Sequence, residues 1–233
     1  MMENKLRVPT LRFPEFTSAG SAEGAGDWVE KRLGDIIDVI DGDRGNNYPK
    51  SDNFFTKEYC LFLSAKNITK NGFRFDNTQF ISRERDKLLN KGKLKRGDIV
   101  LTTRGTVGQF ALYSDTVPYC NIRINSGMVL LRKNIPNLSV DYLFKACNSY
   151  AVNKQIKVIA FGSAQPQLTV KEILKIQINL PPLPEEQKIA SFIFTELLTA
   201  PSFTASMYAK LALAYAWAAE HLAFANKDKD VLK

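Results

Sequence analysis

The sequence predicts an α+β fold, a strand-rich domain followed by a C-terminal helical segment, and three observations carry that reading. Between Tyr59 and Leu131 short apolar runs alternate with turn signals at Asn71-Gly72, Arg96-Gly97-Asp98 and Ser126-Gly127, the pattern of brief strands. From Ser139 onward apolar residues recur at helical spacing, at Tyr142, Leu143, Ala146 and Tyr150. Finally, Pro181, Pro182 and Pro184 stand between an alternating KIQINL run and a helical stripe, where they forbid a continuous ladder.

In chain order, RVPTLRFPEF reads as an extended arm and TSAGSAEGAG, residues 17–26, as a flexible link. DWVEKRLGDI begins ordered structure, with Trp28, Leu33, Ile36 and Ile37 as core candidates, and GDRGNNYPKSDN is a polar loop dense in turn formers. Strand-like segments follow: YCLFLSAKNI, FRFDNTQFI, DIVLTT, QFALYS and GMVLLRK, with SRERDKLLNKGKL between them as a short charged helix. SVDYLFKACNSYAVNKQIKVIA predicts one helix starting at Ser139 or Asp141. GSAQPQ is a loop, and Thr169 with Glu172 forms a capping box. Pro184 suits the first turn of the last helix, where Glu185 and Glu186 favour the positive end of its dipole. Ile189, Phe192, Ile193 and Leu197 then form one buried stripe. No internal repeat is visible.

Composition narrows the function classes. The 233 residues are 45% hydrophobic, enough for a core, and a net charge of +8 favours a polyanion, nucleic acid first and an acidic membrane surface second. Cys60, Cys120 and Cys147 form no CxxC pair and His221 is the single histidine, so no Cys/His metal site can be assembled by spacing. Three unpaired thiols and a charged N-terminus without a long apolar core fit a cytoplasmic protein. The most apolar run, Leu211 to Ala219, is too short to span a bilayer.

Catalytic constellations are mostly absent. A nucleophilic triad would have to use His221, which lies in an alanine-rich helical run. GDRGNNYPKS places Pro49 where a phosphate loop needs glycine. Glu186-Gln-Lys188 is half of a nuclease motif without its aspartate, and a solvated helix start explains it better. NLPPL differs from an amino-methyltransferase signature by the inserted Leu180, and no glycine-rich cofactor loop opens a helix.

Nucleic-acid binding is better supported. Arg44, Asn46, Asn47 and Lys50 sit on the first polar loop; Lys66, Asn67, Thr69 and Lys70 end a strand; Arg104 precedes a glycine-bracketed turn; Gln165 and Gln167 lie on a proline-stiffened loop. Basic and amide side chains of this kind hold phosphates or read base edges. Each also has a plain structural alternative as a polar hairpin, a solvated loop or a turn that orders the capping box.

LRFPEF…DWVEKRLGDI, then LKRGDIVLTTRGTVG, then GSAQPQLTVKEILKIQINLPPLPEEQKIASFI, in that order, resemble the specificity subunits of Type I restriction–modification systems over residues 7 to 198. The resemblance implies a non-catalytic DNA target-recognition domain over residues 27–183, after an arm and link at 1–26. It implies a helical spacer and alanine-rich helix over 184–233. Partners implied are double-stranded DNA, methyltransferase subunits carrying S-adenosylmethionine, and an ATP-driven restriction subunit, with no cofactor in this chain. The family commonly has two recognition domains and two spacers, so this chain resembles a half subunit. A homodimer through its C-terminal helices would read a symmetric interrupted site. Candidate partner residues are Ile189, Phe192, Ile193, Leu197, Met207, Leu211 and Leu222. Pro201 interrupts the family pattern, and a helix resuming at SMYAKLALAYAWAAEHLAFANK packs either on the preceding helix or on a partner. The alternative is a relative that has lost DNA reading and acts as an assembly regulator or decoy.

Overall fold

The computed structural model describes residues 12–16, 27–160 and 166–198, with only the backbone of 193–198. The arm before Arg12, the link at 17–26, Gln165, the side chains of Ile193 and Leu197, and the tail with Pro201, Met207, Leu211 and Leu222 lie outside the described residues.

After a single 3-10 turn at Pro14–Phe16 come β1 (Val29–Arg32), β2 (Ile37–Asp41), β3 (Cys60–Leu63), β4 (Ile68–Thr69), β5 (Gly72–Phe73) and β6 (Phe80–Ile81). Helix α1 (Arg83–Leu88) precedes β7 (Ile99–Thr102), β8 (Phe110–Leu112), β9 (Ile122–Ile124) and β10 (Met128–Lys133). The chain continues through α2 (Val140–Cys147), α3 (Tyr150–Ala160), α4 (Val170–Ile173), β11 (Gln177–Leu180) and α5 (Leu183–Leu198). These elements divide into two compact units, and each takes residues from separate stretches of sequence. The larger holds Arg32–Pro136 and Asn153–Ile176; the smaller holds the described parts of Met1–Lys31, Asn137–Val152 and Gln177–Lys233. The predicted division at residue 183 therefore differs from the one observed, because Trp28 and α2 belong with α5.

In the larger unit an antiparallel sheet runs β2-β10-β7-β8, with β10 in register against both β2 and β7. A second sheet, β6-β3-β9, pairs β3 antiparallel to β6 and parallel to β9. Alternate residues of the two sheets share one core: Val100, Met128 and Leu130 from the first, Leu61, Leu63, Ile122 and Ile124 from the second. That is the period of two expected of strands, and each such side chain contributes roughly 1.5–3 kcal/mol by leaving water. The opposite face of the second sheet presents Cys60, Phe62 and Ile81 to Leu89, Tyr48 and Phe54. The β4–β5 hairpin lies against β8.

Buried charge fixes the turns around these sheets. Arg123, 6% exposed, donates from Nε to Asp86 Oδ1 at 2.6 Å and from its other nitrogens to the carbonyls of Asp86, Leu89 and Lys91. Lys93 supplies the second cation to Asp86. Asp98, 1% exposed, takes two 2.7 Å bonds from Arg132 and one from the Lys95 N–H, closing the turn in which Gly97 adopts a φ of 88°. Both Cys60 and Cys147 are buried thiols pushed up to about 12, whereas Cys120 is exposed.

The smaller unit is organised by α5. Trp28, Tyr142, Ile189 and Ala190 form its core, with Phe13, Ala146 and Leu180 against them, and β1 pairs with β11. Glu185 is 1% exposed and receives Arg12 from Nε at 3.0 Å and from Nη2, and the Trp28 indole N–H at 3.1 Å. Glu186, 2% exposed, accepts the Ser139 N–H at 2.8 Å at the start of α2. The predicted solvated helix start is thus corrected, since both carboxylates are enclosed by donors that the distant sequence supplies. Tyr142 donates to the Asn179 carbonyl at 2.7 Å; burial first, and the Glu186 and Glu185 charges next, raise its phenol well above the usual range. The predicted extended arm is corrected at Pro14–Phe16, where the Phe16 N–H closes onto the Phe13 carbonyl and Phe16 is buried. The predicted single helix from Ser139 is also two, because Asn148 and Ser149 N–H groups turn back onto Lys145 and Ala146 carbonyls. No helix among the described residues is long and apolar enough to cross a membrane.

Glu185→Ala would remove the carboxylate that accepts from the Arg12 guanidinium and the Trp28 indole N–H, at a cost of about 3–5 kcal/mol, measurable by urea denaturation. Glu185→Gln, which keeps an acceptor, should lose less. Asp86 offers a pH test. Burial alone would raise its carboxyl, but hydrogen bonds and charge from Lys93 and Arg123 hold it below the usual range. Its contribution is complete above the unfolded aspartate value of about 3.9 and is lost as pH falls through the lower folded value. Stability of the wild type relative to Asp86→Asn should therefore hold steady from neutral pH to about pH 4 and decline only below it.

Candidate nucleic-acid interface

The β7–β8 and β9–β10 turns of the larger unit meet at one carbonyl, and further segments lie beside them. The oxygen of Gly127, between β9 and β10, accepts the Thr103 N–H at 2.8 Å, the Thr103 hydroxyl at 3.0 Å and the Arg104 N–H at 3.2 Å. The Thr103 carbonyl in turn accepts the Leu168 N–H at 3.1 Å, which brings the segment of Gln167 to the base of the Arg104 turn. Gly105, with φ of 72°, lets the β7–β8 turn bend where L side chains rarely go, and a Cβ built there would lie 4.0 Å from Ala65. Lys66, exposed, follows Ala65 at the end of β3.

The first polar loop joins the same cluster. Gly42 passes so close to the β9–β10 turn that an added Cβ would lie 2.3 Å from the Asn125 oxygen. Asp43 accepts the Gly45 and Asn90 N–H groups, both at 2.8 Å, and these bonds, Gly45 foremost, hold its carboxyl below the usual range. Arg44 reaches Asp41 at 3.0 Å and the Ser126 carbonyl at 3.3 Å, so its guanidinium stands next to the Gly127 junction.

Of the residues expected from sequence, the structure brings together Arg44, Lys66, Arg104 and Gln167 around this junction, with exposed Asn46 on the same loop as Arg44. Asn47 faces α1, donating to the Leu88 carbonyl at 3.3 Å, and exposed Lys50 leads into the 3-10 turn at Ser51–Asn53. Thr69 closes its own hairpin through the Gly72 carbonyl at 3.1 Å, leaving Lys70 exposed at the tip. Asn67 is a correction. It is 2% exposed, its amide oxygen takes two bonds from Ser64, and its NH2 bridges the Arg74 and Asn77 carbonyls at 3.0 and 2.9 Å. An amide spent in this way orders the strand end and presents nothing to a partner. Ile189 and Phe192 are also engaged within the smaller unit, Ile189 on Trp28 and Tyr142, Phe192 edge-on to Phe13 at 5.6 Å.

Sequence reasoning missed Asp43, Asn125 and the Gly127 carbonyl. Asn-Ser-Gly after a short apolar run signals a turn, but not that the β7–β8 turn and the first polar loop close onto it. The assembled set offers two guanidinium groups, an ammonium and amides on exposed turns. Such donors can hold phosphates and, for Arg and Gln, reach base edges in pairs of hydrogen bonds. Among the described residues no group of three or more His, Cys, Asp or Glu could hold a metal ion.

The family described as the Type I restriction modification DNA specificity domain matches residues 25–198. No curated protein matches the chain significantly. Among solved structures, a chain from a study of complex assembly and conformational transition of the type I R-M system is 19% identical, with a TM-score of 0.56 over 92% of this chain and 46% of that one. The S subunit of a Type I restriction–modification system from M. genitalium is 15% identical, TM-score 0.51, covering 82% of this chain and 45% of its own. The HsdS subunit from Thermoanaerobacter tengcongensis is 19% identical, TM-score 0.51, covering 89% and 44%. At these identities the likeness is one of fold, and this chain spans less than half the length of each.

Gly42→Ala tests the junction. The methyl group meets backbone oxygen rather than a movable side chain, so the loop must shift, at about 1–3 kcal/mol by the usual cost of overpacking. Thermal unfolding of this variant should show a lowered midpoint, whereas Gly72→Thr, at a tip with nothing within 4 Å, tests only backbone strain.

Proposed function

Because this chain belongs to the Type I restriction modification DNA specificity domain family, whose members select sequence and carry out no catalysis, we propose that its larger unit reads one half of a split DNA site. The observation that carries this reading is that Arg44, Arg104 and Gln167 lie on segments bonded to or beside the β9–β10 turn at Ser126 and Gly127, with Lys66 next to Ala65 at the edge of the β7–β8 turn. A base reader needs donors held rigidly at the surface, and here the scaffold beneath them is fixed by backbone hydrogen bonds on several sides. Arg104 and Arg44 are suited to guanine edges and phosphates, Gln167 to adenine.

We propose further that the chain acts in a complex. Methyltransferase subunits would bring S-adenosylmethionine and flip the target adenine, and a restriction subunit would supply ATP-driven movement on DNA. Such a complex would work in the cytoplasm. A second copy of the chain, paired through C-terminal helices, would provide the other half-site and so a palindromic interrupted target. That pairing would use residues other than Ile189, which its own unit already buries.

The test is to map adenine methylation in DNA exposed to the assembled complex, which identifies the sequence read. An absence of DNA affinity with methyltransferase present would overturn the reading. On the target so identified, Arg104→Ala should lose about 1–3 kcal/mol of binding and relax the preference at one position, as read by titration against single-base variants of the site.

A further inference from the structure

The segment from Arg83 to Arg96 carries seven basic side chains against two acidic ones, a formal +5 within a chain of +8. Of its two acids, Asp86 is buried and already neutralised by Arg123 and Lys93. Setting Asp86 and Lys93 aside leaves six basic side chains against the exposed Glu84, so the positive excess of the segment stays on its solvent side. Lys87, Lys91 and Lys95 are exposed along it, and Arg83 lies over the Tyr59 ring at 4.3 Å.

This strip is continuous with the loop cluster. Asn47 donates to the Leu88 carbonyl at 3.3 Å, and Arg85 donates to the Asn47 carbonyl at 3.4 Å. Asp43 takes the Asn90 N–H at 2.8 Å, and a Cβ built on Gly92 would approach the Gly42 Cα to 3.2 Å. The loop that carries Arg44 and Asn46 thus rests on residues 85–92. The acids beside it are occupied as well: Asp41 holds Arg44, and Asp43 holds backbone N–H groups. The chemistry also differs from that of the cluster. Ammonium groups on flexible stems are point charges without the planar fork that reads a base edge.

We infer that the exposed lysines of this strip, Lys87 and Lys91 above all, hold the phosphate backbone of duplex DNA flanking the base pairs read by the loop cluster. The inference rests on the DNA-reading function proposed above and assigns it a second, sequence-independent contact. Phosphates bound here would release counterions and set register and orientation without selecting sequence.

The full chain with Lys87→Ala and Lys91→Ala together, measured with its methyltransferase partner, tests this. Binding is titrated over a salt series on two duplexes of equal length, one with the methylated target and one scrambled. Affinity for both should fall by the same factor, on the order of tenfold, and the slope of log affinity against log salt should shrink by about 0.9 for each phosphate no longer neutralised. The ratio between the duplexes should stay unchanged. Lys87→Arg with Lys91→Arg should restore the slope, which excludes misfolding as the cause. Unchanged affinity and slope, in a wild type that does discriminate the duplexes, would overturn the strip while leaving the reading function intact. A changed ratio would make these residues base readers and overturn it too. Lost assembly with the methyltransferase, but normal DNA binding by the free chain, would give the strip to an acidic protein surface instead. A wild type that binds neither duplex would remove both proposals.

Discussion

The candidate interface depends on the carbonyl of Gly127. A backbone oxygen that accepts from Thr103 twice and from Arg104 once fixes the β7–β8 turn against the β9–β10 turn, and the Thr103 carbonyl then fixes the segment at Leu168. Sheet registers set where that oxygen lies: β10 is locked between β2 and β7, so the turn that precedes it has little choice of position. Side chains that reach outward from such turns inherit the rigidity of the sheets. The bonds that hold the β7–β8 turn come from backbone groups and Thr103, not from the side chains of Arg104 or Gln167, so those two positions can vary at little cost to this junction.

Charge is partitioned between inside and outside. Among the described residues the buried ionisable groups include Asp86, Asp98, Glu185 and Glu186, but one buried arginine, Arg123. Placing acids inside is costly unless donors enclose them, and each has its donors: Arg123 and Lys93, Arg132 and Lys95, Arg12 and Trp28, and the Ser139 N–H. The exterior keeps the basic surplus. The net charge is set by composition, and what folding adds is its placement, with the buried acids paired inside and exposed lysines such as Lys87, Lys91 and Lys95 outside.

Much of this was legible in the sequence. Short apolar runs bounded by turn signals marked β3, β7, β8 and β10; Ser82 and Ser139 start helices as expected; and Thr169 makes the predicted capping box with Glu172, its N–H donating to the carboxylate at 2.8 Å. Local rules succeed where the determining partners are local. They failed where a partner lies far along the chain. β9 is three residues between asparagines, too short for a periodicity, and is a strand because β3 pairs with it in parallel. Glu186 read as part of a solvated helix start, and Glu185 only as a favourable charge at that helix end, because their donors come from Arg12, Trp28 and Ser139. Asn67 looked available because nothing nearby announced that the Arg74 and Asn77 carbonyls would claim its amide. The candidate interface residues were chosen by type, as basic and amide groups on turns, but which of those turns lie side by side was not legible, since the Gly127 junction sets it.

The smaller unit draws on three separate stretches of the chain, and this orders its assembly in time. Glu185 follows Arg12 by 173 positions and Trp28 by 157. A ribosome adding about 5–20 residues per second therefore exposes Trp28 for on the order of ten seconds or more before its carboxylate partner exists. The strands of the larger unit have all been made by then. Closure of the smaller unit cannot precede synthesis of Glu185, and a pause in synthesis before it would prolong the exposure of Trp28.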